Sequence, residues 1–370
     1  MTGSNPAGKY GAYGCDLPMT TANLVLNRLG TLPGIDFVVY GGDNPPHDMW
    51  AETEESQMVV EALVIKMFKE NFPNTSIYPV LGNHESYPES EYLQSLYMNQ
   101  TEALARMWST WAHFPDSAIK SMGHGGYYSV IIKPKLRLIA YNSDYGYLFN
   151  FYALLNHKNP AYEEHTKWLH NTLTYAKNNG EKVLLVAHVP PGIGTTSAEY
   201  GEWFINATKP FSDIIVGQLF GHTHQDHFKV VQQNGKPFGS ILITPSITTF
   251  AHQNPSFRIY SMDPTTYEIL DYEQYFLNLT KANVIAKEGK TPQFELNYSA
   301  KKLYGMKDLS PDSWWSLVNR FKTNSTLLLK YVDNVYARSK VPSCDANCKK
   351  MTICECEYTN YLDAEECSFN

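Results

Sequence analysis

The sequence predicts a layered α/β fold, and three observations carry that expectation. Short apolar runs bounded by glycine and proline read as buried strands, and they alternate with longer stretches of helical period. Four of these runs stop at residues that can bind a metal ion. Residues 36–40 lead into Gly41-Gly42-Asp43, 77–81 into Gly82-Asn83-His84-Glu85, 182–187 into His188, and 213–220 into Gly221-His222-Thr223-His224. In layered α/β folds the chemistry gathers beyond the carboxyl ends of the strands. Each group alone has a plainer reading: Asp43 as a turn or cap residue, Asn83 as a turn residue, His188 as a core histidine, the histidine pair as a solvated loop. Four strands delivering oxygen and nitrogen donors to one edge make a metal centre the better account.

Taken in order, residues 1 to about 18 are rich in Gly, Tyr and Pro and read as an extended surface segment. A helix follows at 19–29, then the Asp43 strand and a rigid loop at 44–50 containing Pro45, Pro46 and His47. Residues 56–70 form a helix with Met58, Val59, Ala62, Leu63 and Met67 on one face. After the Asn83 strand comes an aromatic-studded helical stretch at 91–111, a glycine-rich hinge at 123–126, and strands at 127–132 and 136–141. A helix at about 161–178 leads into the His188 strand. Beyond the histidine pair, 228–232 and 240–244 read as strands, with 233–236 as the turn, and 258–262 with 267–272 as a closing strand pair. From 276 the texture becomes helical (311–321 and 326–337) and ends in a cysteine cluster. This divides the chain into a catalytic domain, 1–275, and a helical subdomain, 276–370.

Bulk composition bounds the function. A chain of 370 residues can bury a full core. Its net charge of −7 and lack of any Lys/Arg run offer no basic field to hold nucleic acid. No apolar run approaches the roughly 20 residues of a membrane-spanning helix, and residues 1–8 lack the charged and apolar regions of a signal peptide. Two features nevertheless speak for an oxidising compartment. Asn-x-Ser/Thr sequons occur at Asn74, Asn99, Asn206, Asn278, Asn297 and Asn324. Cys344, Cys348, Cys354, Cys356 and Cys367 crowd the tail, with Cys15 far away. Disulfides would staple a tail with little core of its own; zinc is the rival reading, weakened by the lack of paired Cys-x-x-Cys knuckles.

Asp43, Asn83, His188, His222 and His224 form an oxygen/nitrogen donor set that suits zinc, manganese or iron rather than calcium or a thiolate site. Two ions suit it better than one, because a carboxylate such as Asp43 can bridge them and paired ions serve displacement at phosphorus. His84, beside Asn83, is placed to protonate a leaving oxygen, and His47 to hold a phosphoryl group.

Gly-Asp, Gly-Asn-His-Glu, a strand-end His and Gly-His-x-His, in that order, resemble the calcineurin-like metallophosphoesterases. Residues 42–50, 82–86, 125–128, 187–192, 220–224 and 277–283 resemble the acid sphingomyelinase group within them. That resemblance implies a four-layer α/β/β/α sandwich with a helical, disulfide-stapled C-terminal subdomain, and two zinc ions. It implies hydrolysis of sphingomyelin to ceramide and phosphocholine, with sphingomyelinase-like hydrolysis of nucleotides or other small phosphodiesters as the alternative. By it Asp43 bridges both metals, Asn83, His188 and His222 complete one, and His224 belongs to the other. Cys344 pairs with Cys348 and Cys354 with Cys367, leaving Cys356 over. The implied partners are a phosphodiester substrate and, transiently, a lipid surface, and the implied location is secreted or lysosomal. Family members open with an Asp-x-His motif that supplies two ligands of the second metal, and no such motif stands near the start here. The expectation is therefore that Met1 is an internal methionine, that the signal peptide lies upstream, and that this chain holds the second ion weakly, which leaves a catalytically crippled remnant as a further alternative.

Overall fold

A computed structural model describes residues 7–155, 160–250, 252–339 and 343–369. Its strands are β1 (Phe37–Tyr40), β2 (Ser76–Pro79), β3 (Tyr128–Lys133), β4 (Leu136–Ala140), β5 (Lys182–Val186), β6 (Ile215–Phe220), β7 (His227–Gln233), β8 (Lys236–Ile243), β9 (Ser256–Met262), β10 (Ile269–Phe276) and β11 (Glu295–Ser299). They form a six-stranded sheet in the order β3-β4-β5-β6-β8-β7, a parallel pair β1-β2 and an antiparallel sheet β11-β10-β9.

The layering follows from side-chain alternation along the central strands. On β5, Val183 and Leu185 face outward to a core shared with Leu169, Leu173, Phe204 and Phe211, which lie on or after the helices Pro160–Asn178 and Ala198–Thr208. Leu184 and Val186 face the opposite way, into a larger core with Ile77, Trp108, Tyr272 and Trp314. Gly217 lets the sheets meet: a Cβ there would stand 2.8 Å from Ile269 Cδ1 of β10 and 2.9 Å from Leu184 Cδ1. The helices Met19–Gly30, Glu54–Asn71 and Gln94–Ala112 cover the far side, completing helix, sheet, sheet, helix. Residues on both sides of position 276 share the three-stranded sheet, since β11 pairs with β10.

The turn at 233–236 forms as read. Asn234 and Gly235 take φ 53° and 72°, which a two-residue hairpin loop requires. The glycine-rich hinge at 123–126 is instead a helix end: Asp116–Gly125 is helical and Gly126, at φ 76°, caps it. The closing strand runs later than expected, Ile269–Phe276 rather than 267–272. In the tail, Cys344–Cys348 and Cys354–Cys367 are bonded; Cys15 is free and exposed, Cys356 free and buried. Among the described residues, no helix is long and apolar enough to cross a membrane.

Candidate metal centre

β1, β2, β5 and β6 run parallel to their neighbours and release their C-terminal loops at one edge. The first two loops are packed backbone against backbone. A Cβ at Gly42 would lie 2.7 Å from the Val80 carbonyl, and one at Gly82 2.2 Å from Asp43 Oδ1. Glycine is thus required at both positions by contact as well as, at Gly42, by a φ of 89°. Asp43, His222 and His224 also adopt left-handed backbone, with φ of 61°, 68° and 62°. Such conformations cost a non-glycine residue about 1–3 kcal/mol each and persist where the surroundings over-determine them, commonly at functional sites.

Asp43, His188 and His222 come together with their ligand atoms within 4.8 Å of one another. His188 Nδ1–H donates to the Gly41 carbonyl at 2.5 Å, which turns Nε2 toward Asp43 Oδ2 at 2.8 Å. That approach lies off the direction of a hydrogen bond, so the buried Nε2 has no hydrogen-bond partner. Asn83 joins the group: its Nδ2 donates to Glu89 Oε1 at 2.6 Å and Ser90 Oγ at 3.1 Å, leaving Oδ1 2.9 Å from His222 Nδ1. Two donor pairs just under 3 Å apart, one around an orphaned imidazole nitrogen, suit neighbouring ligands of one ion, and the donor types fit a divalent metal.

The charges agree. Burial opposes ionisation of Asp43, but the His188 and His84 charges beside it hold its carboxyl far below the usual range. Burial likewise opposes protonation of His188, yet Asp43 pushes it up to about 9. Burial pushes His222 down to about 3 and His224 down to about 4, so both keep their lone pairs.

His224 and His47 lie beside this group and not in it. The His47 ring stacks on Phe250 at 3.9 Å and stands edge-on to His84 at 4.6 Å and to His224 at 5.5 Å. His84 reaches Glu89 Oε1 at 3.6 Å through Nε2 and the Pro46 carbonyl at 3.3 Å through Nδ1. The structure thus gathers all seven sequence-derived residues at one edge, with the donor atoms of four of them, Asp43, Asn83, His188 and His222, drawn together.

Sequence reasoning gave no role to Glu85, which the fold makes central. Its buried carboxylate accepts the backbone N–H groups of Asp43, Asn44 and Gly82 at 2.9, 2.7 and 2.7 Å. Its place inside Gly-Asn-His-Glu was the only available signal. Glu89, which holds the Asn83 amide, and Asp16, which holds His47, were likewise missed.

Comparison with known proteins fits this geometry. The calcineurin-like phosphoesterase profile matches residues 20–226, and the profile of the acid sphingomyelin phosphodiesterase C-terminal region matches 237–369. Sphingomyelin phosphodiesterase A of Dictyostelium discoideum is 38% identical over 359 residues, 95% of this chain and 60% of that protein. The sphingomyelin phosphodiesterase of Homo sapiens is 32% identical over 94% of this chain and 56% of its own length. The cyclic GMP-AMP phosphodiesterase SMPDL3A of Mus musculus is 31% identical over 98% of this chain and 84% of its own length. The chain thus spans about three fifths of the sphingomyelin phosphodiesterases it matches. With the metal-type donor cluster at the strand edge and both profiles in register with it, the chain belongs to the acid sphingomyelinase-like group of the calcineurin-like phosphoesterases.

Proposed function

We propose that the protein is a metal-dependent phosphodiesterase that hydrolyses sphingomyelin to ceramide and phosphocholine. The observation that carries this reading is the Asp43, His188 and His222 cluster with Asn83 against it and His84 beside it. Asp43, Asn83, His188 and His222 would hold one divalent ion and His224, with Asp43, a second; zinc is the proposed metal. When bound, such ions stabilise charge on phosphoryl oxygens and lower the pKa of an attacking water. The residues do the rest. Glu85 fixes the Asp43 loop, His47 contacts the phosphoryl group, and His84 delivers a proton to the leaving oxygen.

Exposed apolar side chains beside the site support the lipid substrate and a transient lipid surface. Trp50 is 85% exposed three residues after His47. Phe149, 56% exposed, packs on Tyr147 at 5.6 Å, and Tyr147 packs on the His222 ring at 4.7 Å. The sequons and the two disulfides support a secreted or lysosomal location. A second reading, hydrolysis of nucleotide phosphodiesters, is favoured by the similarity to the SMPDL3A protein over 84% of that protein's length.

Parallel assays of the zinc-loaded protein decide between them, one on sphingomyelin in detergent micelles and one on a cyclic dinucleotide and a nucleoside triphosphate. Turnover of sphingomyelin alone, reduced about 100-fold or more by His84→Ala, is the expected result. Turnover of nucleotides alone selects the second reading, and indifference to all of them, with zinc shown to bind, sinks both.

A further inference from the structure

We propose that Asp16 is a positioning residue of this centre, acting through His47; this rests on the phosphodiesterase reading above. One carboxylate makes two bonds to one residue. The His47 backbone N–H donates to Asp16 Oδ2 at 2.9 Å, and the ring Nδ1–H donates to Oδ1 at 2.6 Å. The pair lies 31 positions apart in sequence and joins the N-terminal segment to the loop after β1. Burial works against ionisation of Asp16, but the two His47 bonds outweigh it and hold its carboxyl below the ordinary value.

The acid is itself anchored. The Cys15 carbonyl beside it accepts Thr249 Oγ1–H at 2.7 Å, and the Tyr13 carbonyl accepts the His252 backbone N–H at 3.1 Å. The segment that carries Asp16 is therefore tied to the segment that carries Phe250, and Phe250 stacks on His47 at 3.9 Å. The imidazole is fixed from behind by a carboxylate and from one face by a ring. With Nδ1 committed to Asp16, the tautomer is set and Nε2 is left for the reacting group. Among the described residues Nε2 makes no hydrogen bond. A carboxylate behind a histidine commonly fixes tautomer and orientation in this way, and losing such a partner typically costs about 10- to 100-fold in activity.

The double-mutant cycle of Asp16→Ala and His47→Ala tests this, with zinc-loaded protein and bis(p-nitrophenyl) phosphate as the probe. Asp16→Ala is expected to lower kcat by about 10- to 100-fold, with a smaller change in KM. Asp16→Asn, whose amide oxygen still accepts one N–H, should recover part of that loss. In the His47→Ala background, Asp16→Ala should change kcat by less than about 2-fold, because its route of action is gone. An equal loss in both backgrounds would show that Asp16 serves the fold and not His47, and an unchanged kcat in Asp16→Ala would remove any role; either result overturns the proposal. Ring-nitrogen NMR gives a readout that needs no turnover. The wild type should show His47 protonated at Nδ1, and Asp16→Ala should lose that preference; a tautomer mixture already present in the wild type overturns the proposal. Should the wild type hydrolyse no phosphodiester, the phosphodiesterase reading fails, and the NMR result alone decides whether the dyad exists.

Discussion

Glu85 shows how much of this site is set by a single side chain outside the donor cluster. Its carboxylate is 2% exposed and takes three backbone N–H groups from two different loops. Burial and the neighbouring Asp43 charge both push its pKa up, while the N–H donors pull it back toward ionisation. Hydrogen bonds to a charged acceptor contribute roughly 1.5–3 kcal/mol, and an orphaned buried donor costs about 1–3 kcal/mol. Glu85→Ala is therefore expected to destabilise the protein by about 3–5 kcal/mol, read as a lower urea midpoint, and to weaken divalent-metal binding because the Asp43 loop relaxes. Glu85→Gln should fall between, since its amide NH2 would face a backbone donor. A Glu85→Ala variant with the wild-type midpoint would mean that the left-handed turn at Asp43 holds without its anchor. Asp43, Asn83 and His188 were legible in the sequence because each closes a strand. Glu85, Glu89 and Asp16 were not, because their roles come from contacts that only the folded chain creates, such as the Asp16–His47 pair across 31 positions.

At the scale of elements, the strands before position 276 were read well, whereas short helices, and β11 in the stretch read as helical, were not. Buried strands such as β5 announce themselves as unbroken apolar runs between charged or glycine-marked ends. The helices Ala198–Thr208 and Leu279–Lys287 are short, so periodicity has few turns in which to show, and their signal lies in the caps. Ser197 accepts the Tyr200 N–H at 3.2 Å, and Asn278 Oδ1 accepts the Lys281 N–H at 2.9 Å. Asn278 carries two meanings at once, because it also opens the sequon Asn278-Leu279-Thr280. Its cap uses the oxygen, and glycosylation would use the nitrogen. In unglycosylated protein, Asn278→Ala should cost about 1 kcal/mol of stability through the lost cap, whereas Thr280→Ala, which destroys the same sequon, should cost much less. Equal losses in the two variants would remove the cap from the account.

Across the whole molecule, the balance of buried bases predicts how the fold responds to acid. His165 is fully buried among the rings of Tyr127 at 5.1 Å, Tyr145 at 5.2 Å, Tyr141 at 6.0 Å and Trp203 at 6.2 Å. Neither of its nitrogens finds a hydrogen-bond partner among the described residues, and burial pushes it down to about 3. His227, buried against Tyr331, and Lys229 on the same strand are lowered by burial too. The folded state thus refuses protons that the unfolded chain accepts. For His165 the ordinary value is 6.5, so its contribution is intact above that pH and is lost as pH falls from there toward about 3. One such histidine removes about 2 kcal/mol between pH 7 and pH 5. The Asp43 carboxyl is lowered too, by the His188 and His84 charges acting against burial, so its stabilisation is likewise lost in acid, only at lower pH, below the ordinary carboxylate value of 3.8. Two sets of groups therefore weaken the fold in sequence as acid is added, the histidines first. His165→Phe should flatten the first step: urea midpoints measured at pH 7 and pH 5 should drop less in the variant than in the wild type, whatever the variant's own stability at pH 7. Equal drops would mean that His165 meets its protons in the folded state.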